Sequence, residues 1–155
     1  SFSHHASATL PLLERGGTTV RVLAGAISGR HSPVAVASPM FYADAVLEAG
    51  AQLTLPAEHE ERAIHVAGGR TTPPGPSFEA GQLLVFRPGD QINVTASVRS
   101  RVLLLGGEPL DGQRHVWWNF VSSSQERLEQ AKRDWKEGRF PKVPGDDVEF
   151  IPLPE

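Results

Sequence analysis

Between about Thr19 and Val121 the sequence breaks into short apolar segments that recur on the order of every ten residues, with little helical periodicity between them. These segments are Val20–Leu23, Met40–Leu47, Gln52–Leu55, Ala63–Val66, Leu83–Phe86, Ile92–Thr95, Val102–Leu105 and Val116–Val121. Turn-forming residues separate them: Glu48-Ala-Gly50, Gly68-Gly69, Pro73-Pro-Gly-Pro76, Glu79-Ala-Gly81, Pro88-Gly-Asp90 and Gly106-Gly107. Glycine supplies positive φ and proline presets a turn, so each cluster reverses the chain where the apolar run stops. The pattern predicts an all-β fold, an antiparallel sandwich or barrel.

Near the end the period changes. Ser123 is followed three residues later by Glu126, a capping-box pattern, and then Leu128, Ala131 and Trp135 share one face opposite Glu, Lys and Arg. Gly138 stands where a helix C-cap is expected. One amphipathic helix with its regular turns at about 124–137 is predicted to pack its apolar stripe on the barrel. The expected organisation is an arm or linker at 1–18, the β-barrel at 19–122, the helix at 123–139 and a tail at 140–155. Pro141, Pro144, Pro152 and Pro154, with Asp146-Asp147, make that tail extended, and Phe150, Ile151 and Leu153 are predicted to pin it to a surface.

Composition removes several functional classes. The 155 residues are enough for a core without staples, and 39% hydrophobic with 21% charged residues excludes a disordered chain. There is no cysteine, so neither disulfides nor thiolate metal sites exist, and cytoplasmic localisation is the simplest reading. No apolar stretch approaches the length of a membrane span, and Ser1 to Leu10 has no signal-peptide pattern. The chain starts without Met, which suggests a piece of a longer protein. With a net charge of -3 and no basic stripe, direct nucleic-acid binding is not expected. The sequence also lacks a phosphate-cradling Gly-rich loop, a His-Glu-x-x-His motif and a Gly-x-Ser-x-Gly elbow.

The stretch Arg114-His-Val-Trp-Trp-Asn-Phe-Val-Ser-Ser123 continues through Glu126–Lys132, Asp134-Trp135, Gly138-Arg-Phe-Pro141 and Pro144-Gly-Asp-Asp147 to Glu149-Phe-Ile-Pro-Leu-Pro154. It resembles the C-terminal signature of bacterial pirin-like proteins. Ser38-Pro-Met-Phe-Tyr-Ala-Asp44 and His59-Glu-Glu-Arg-Ala63, leading to Gly68-Gly69, are similar to the second cupin of the same family. The resemblance implies a cupin-type antiparallel β-barrel or jelly roll with one C-terminal α-helix. Pirins are double cupins of roughly twice this length, so it also implies that an N-terminal cupin is absent from this chain. In the family that absent half carries a single iron or other divalent metal on three His and one Glu. Some bacterial members have quercetin 2,3-dioxygenase activity, and animal members are nuclear iron proteins that modulate transcription factors.

Cupins present metal ligands through Gly-x5-His-x-His-x3-Glu-x6-Gly and a later Pro-x-Gly-x2-His. Alternate residues of a strand face one way, so His-x-His sends two imidazoles into the barrel. The first motif laid on Gly50 ends correctly at Gly69, and its ligand slots fall on Pro56, Glu58 and Arg62; the second, laid on Gly81, puts Leu84 at the last His. Only Glu58 could bind a metal, and Arg62 brings a cation into the same place. No metal or other cofactor is therefore expected in this chain and no residue is assigned a catalytic role; the metal is expected only in the missing half. A buried unpaired carboxylate costs several kcal/mol, so Glu58 and Arg62 are expected to approach one another.

His59, Glu61 and His65 share a parity opposite to the interior slots, which favours an outer-face or inter-domain role over an adventitious metal site. His4 and His5 lie in the arm, His31 in a loop and His115 at the start of the Trp strand; none forms a ligand set by spacing. Along one strand, Trp117 and Asn119 would share a face opposite Trp118 and Phe120. The readings are barrel core and helix packing, with a capping role for the Asn119 amide, or a stacking platform or surface toward the absent cupin. The leading functional expectation is a structural half that supports a metal-dependent N-terminal cupin, its partner being that half or a homodimer mate. The alternative is a small-molecule or protein-binding cupin module acting in regulation. An oxygenase in its own right ranks last.

Overall fold

A computed structural model describes residues 3–89, 91–142, 145 and 148–154. Ser1 of the predicted arm, Asp90 of the predicted turn, and Pro144, Asp146, Asp147 and Glu155 of the predicted tail lie outside the described residues. The chain divides into two compact units that meet between Pro109 and Leu110.

The first unit is built of antiparallel strands. In chain order these are β1 (Leu12–Arg15), β2 (Thr18–Ile27), β3 (Arg30–His31), β4 (Met40–Leu47), β5 (Gln52–Leu55), β6 (Glu61–Gly68), β7 (Arg70–Thr72), β8 (Phe78–Glu79), β9 (Leu83–Phe86), β10 (Ile92–Ala96) and β11 (Ser100–Gly107). The larger sheet has the order β1-β2-β4-β11-β6-β9, with β3 paired to β2, and the smaller the order β5-β10-β7-β8. β4 pairs β11 along its whole length and β11 in turn pairs β6, connections that cross long stretches of sequence. This is the two-sheet jelly roll of the cupin class.

Strand alternation builds the core. Along β4, Phe41, Ala43, Ala45 and Leu47 are buried while the residues between them are partly exposed. Their inward side chains join Val20 and Val22 of β2, Ile64 and Val66 of β6, and Val102 and Leu104 of β11 in one cluster. Leu53 and Leu55 of β5 and Val94 and Ala96 of β10 complete that cluster from the second sheet. Gly106 marks a close approach between neighbouring strands of the larger sheet: a Cβ there would lie 2.1 Å from the Glu61 carbonyl of β6 and 2.6 Å from the Phe41 ring of β4.

The second unit holds the hairpin β12 (His115–Trp117) and β13 (Phe120–Ser122) and the helix α1 (Gln125–Lys136). The cap of α1 is Ser124 rather than Ser123, its hydroxyl accepting from the Arg127 N–H at 3.3 Å. Gly138 takes a φ of +67° just past the helix, as a C-terminal glycine should.

Two sequence-derived boundaries change. Leu12–Arg15, read as part of an arm, is a strand registered on Thr18–Arg21, because the Gly16-Gly17 turn folds it back as a hairpin. The barrel also ends before Val116–Val121: that segment pairs only with itself among the described residues, and α1 packs on it within the second unit.

Candidate functional site

The degenerate ligand positions lie where β5 leaves the small sheet and β6 and β9 run side by side. Alternation along β6 turns Arg62, Ile64 and Val66 inward, and Arg62 is only 2% exposed. Its guanidinium spans two connections. Nη1 donates to the Pro56 carbonyl at 3.2 Å, and Nη2 donates to the Gly89 carbonyl at 3.1 Å and, at the limit of hydrogen-bond length, to Arg87 at 3.5 Å. One cation thus ties the β5–β6 connection to the turn after β9 through carbonyl dipoles, which solvate it in place of water. Across the sheet Arg62 faces Phe86 and Ile64 faces Leu84, so the buried Leu84 shares the inner face one pleat away.

The frame of the motif is present: Gly50 and Gly69 both adopt positive φ, +80° and +82°. At Gly69 a Cβ would stand 2.4 Å from the Ser100 hydroxyl, which bonds the Arg70 N–H and carbonyl, both at 3.0 Å.

Glu58 departs from expectation. It is exposed, lies in the irregular connection of residues 56–60, and its Oε2 accepts from the Ser28 N–H at 2.8 Å. It forms no ion pair with Arg62 among the described residues. Strand parity does not extend through a connection, and an exposed carboxylate has no need of a buried cation. The structure therefore brings Pro56, Arg62 and Leu84 to one end of the sandwich and leaves Glu58 outside.

These residues do not fit a metal. A divalent ion needs several converging nitrogen or oxygen donors. Leu84 offers none, the Pro56 carbonyl is taken by Arg62, and Arg62 is itself cationic. Among the described residues no cluster of three or more His, Asp and Glu could hold a metal ion.

His59, Glu61 and His65 do not converge either. His59 precedes β6 and is largely buried, its Nε2 3.2 Å from the Ala26 carbonyl, its Nδ1 3.7 Å from Glu108 Oε1 and its ring 5.2 Å from Phe41. It anchors the connection to the ends of β2 and β11. Glu61 is exposed, and His65 sits on the outer side of β6, registered between Leu83 and Leu103. Beside Leu84 lies a cleft of about 550 Å³ lined by Pro73, Pro74, Pro76, Phe78, Phe86 and Ile92, with Gln91 and Asn93 as its polar groups. The Pro73-Pro-Gly-Pro76 run signalled a turn in the sequence, but not that its rings would wall a cleft.

In the second unit Trp118 and Asn119 form the two-residue turn of the hairpin, which puts Phe120 opposite Trp117 instead of on the other face. Trp117 and Phe120 stack at 6.3 Å, and Lys132 lies 4.7 Å over the Trp117 ring. Trp118 holds a φ of +52° and packs edge-on to Trp135 at 5.3 Å. Asn119 is exposed in the turn. Asn in the turn dipeptide was the available signal for the reversal. The tail returns to the helix: Phe150 stacks on Trp135 at 5.9 Å, whose indole N–H donates to the Ile151 carbonyl at 2.8 Å.

Comparison with known proteins matches residues 42–141 to the family described as the Pirin C-terminal cupin domain. A pirin-like protein of Caulobacter vibrioides is 49% identical over 156 residues, covering 100% of this chain and 54% of the relative. A Pseudomonas aeruginosa protein provisionally named a quercetin 2,3-dioxygenase is 32% identical over 99% of this chain and 50% of its own length. The crystal structure of a quercetin 2,3-dioxygenase from Acinetobacter baumannii superimposes with a TM-score of 0.81 at 27% identity, over 94% of this chain and 50% of that one. The chain spans about half the length of the curated relatives it matches.

Proposed function

Because this chain belongs to the pirin family as its C-terminal cupin domain, we propose that it is a metal-less half supporting a metal-dependent, quercetin 2,3-dioxygenase-like cupin that lies upstream in the full-length protein. Arg62 carries this reading. Its guanidinium is held by backbone carbonyls from two connections at a ligand position of the cupin motif, so cross-linking that a metal would give is supplied by a side chain. A domain tied together in this way needs no metal for its own fold and supports its neighbour by shape. The supporting half is expected to act in the cytoplasm, with the metal held entirely by its neighbour.

The test is metal stoichiometry and retention in the full-length protein. One equivalent per chain is expected, with faster loss to a chelator once this half is removed. Two equivalents, or a chelation rate indifferent to this half, contradicts the proposal.

The cleft beside Leu84 favours one second reading, a module that binds a small apolar ligand. Its walls are largely apolar, with Gln91 and Asn93 as polar groups, the usual make-up of a ligand pocket. Saturable binding of flat aromatic probes, abolished by Leu84→Asp, would support it.

A further inference from the structure

The sandwich of the first unit carries a cleft at each of its two edges. The one beside Leu84 lies where β9 and β8 end their sheets. A larger one, of about 670 Å³, lies at the opposite edge, between the β1–β2 hairpin and β5. Its inner wall is apolar: Val20 and Leu53 belong to the buried core, and Leu13 packs against that core. Alternation along β1 turns Arg15 to the same side as Leu13, and Arg15 is the only charged residue lining the cleft among the described residues. It is exposed, and its guanidinium makes no hydrogen bond or ion pair among the described residues.

β5 adds main-chain donors. The Ala96 N–H bonds the Ala51 carbonyl at 3.0 Å, which sets the phase of the β5–β10 ladder. Leu53 and Leu55 therefore exchange bonds with Val94 and Ile92, while Gln52 and Thr54 turn their backbone groups away from β10. The Gln52 carbonyl accordingly accepts from the Thr18 hydroxyl across the opening, at 3.2 Å. β5 ends its sheet, so no strand lies beyond the Gln52 and Thr54 N–H groups among the described residues. Donors and one unpaired guanidinium over an apolar wall, with no carboxylate in the lining, suit a ligand with an anionic head and an apolar body. A single guanidinium matches the single charge and planar fork of a carboxylate, whereas a phosphate dianion calls for a second cation.

We propose that this cleft binds a small amphipathic carboxylic acid. Its carboxylate lies on Arg15 and the edge amides of β5, and its chain lies along Leu13, Val20 and Leu53. Such a site stands independently of the supporting role.

Titration of this chain with octanoate, octanol and octylamine, followed by calorimetry and by backbone amide shifts, tests it. Octanoate is expected to bind saturably and to shift the Gln52 and Thr54 amides. Octanol and octylamine should bind at least about tenfold more weakly, the weight of one charge-assisted contact. Arg15→Gln should weaken octanoate about tenfold and leave octanol unchanged, and Arg15→Lys should recover part of that loss, since it restores the charge without the fork. Because Arg15 is exposed, both variants should keep the circular dichroism and melting temperature of the parent. Octanoate binding should persist in the full-length protein. Absence of saturable binding, or equal affinity for octanoate and octanol, overturns the proposal. So do shifts centred on Leu84 and Phe86, which place the acid in the opposite cleft. Loss of binding in the full-length protein means that the upstream half covers this edge, and overturns it too. Binding of a peptide with a free terminal carboxylate, where octanoate fails, gives the edge to a chain terminus and likewise overturns it.

Discussion

Replacing Arg62 by Met removes the guanidinium while keeping an unbranched side chain that fills much of the same interior space. Two opposing effects decide the outcome. Burying a cation is costly, and an apolar residue of similar volume can be neutral or even stabilising where a charge merely occupies space. Against this, the two well-formed hydrogen bonds, to Pro56 at 3.2 Å and Gly89 at 3.1 Å, join the β5–β6 connection to the turn after β9. Hydrogen bonds from a charged donor are worth about 1.5–3 kcal/mol each. Gly89 sits in an exposed turn and its carbonyl can regain water, so the sum is discounted to about 3 kcal/mol for Arg62→Met, with Arg62→Ala worse because it adds a cavity. At a urea slope of about 1.5 kcal/mol/M, a loss of about 3 kcal/mol lowers the midpoint by about 2 M. Urea unfolding followed by far-ultraviolet circular dichroism reads this shift, and the slope should be unchanged. A midpoint equal to or above that of the parent would make the guanidinium a tolerated charge and not the tie between the two connections.

Three further outcomes follow from the same structure. All three tryptophans lie in the second unit, so their fluorescence reports on it alone; Leu128→Ala should cost about 2–4 kcal/mol there and shift the fluorescence transition, while the sheet signal of the first unit holds its midpoint. Gly106→Ala drives a methyl into the Glu61 carbonyl and the Phe41 ring and is expected to cost about 1–3 kcal/mol, seen as a lower melting temperature by circular dichroism. The Arg114 guanidinium, bonded to Asp111 at 2.5 Å, holds that carboxyl below its usual range, and Lys132 does the same for Glu129. A carboxyl depressed in the folded state stabilises above its unfolded pKa and loses that contribution as the pH falls through its folded value. The tryptophan-reported transition should therefore weaken modestly below about pH 4 and be level above about pH 6; weakening on the alkaline side instead would contradict the sign.

Much of the first unit is legible in sequence because it rests on local signals. Alternation along Met40–Leu47 and the turn chemistry around Gly50 and Gly69 specify strands and reversals without reference to anything distant. Alternation also places Arg62 and Leu84 on the inner face. Strand parity misleads wherever the residues are not strand. It sent Glu58 inward from a connection in which it points to solvent, and it ran straight through Trp118 and Asn119, where the chain turns. The partners of Arg62 were not legible at all, since backbone carbonyls of Arg87 and Gly89 are brought to it only by the β6–β9 pairing. Parity puts His59 on an outer face for the same reason, whereas its contact with Glu108 depends on the distant end of β11.

With Pro56, Arg62 and Leu84 at the cupin ligand positions and Glu58 outside them, the proposed metal-less role requires that the chain take up no divalent ion there. Elemental analysis of the purified chain, after incubation with iron, nickel, manganese, copper and zinc and removal of free ions, addresses it most directly. No stoichiometric metal of any kind is expected. One equivalent of a divalent metal, lost on Glu58→Gln or Arg62→Ala, would contradict it.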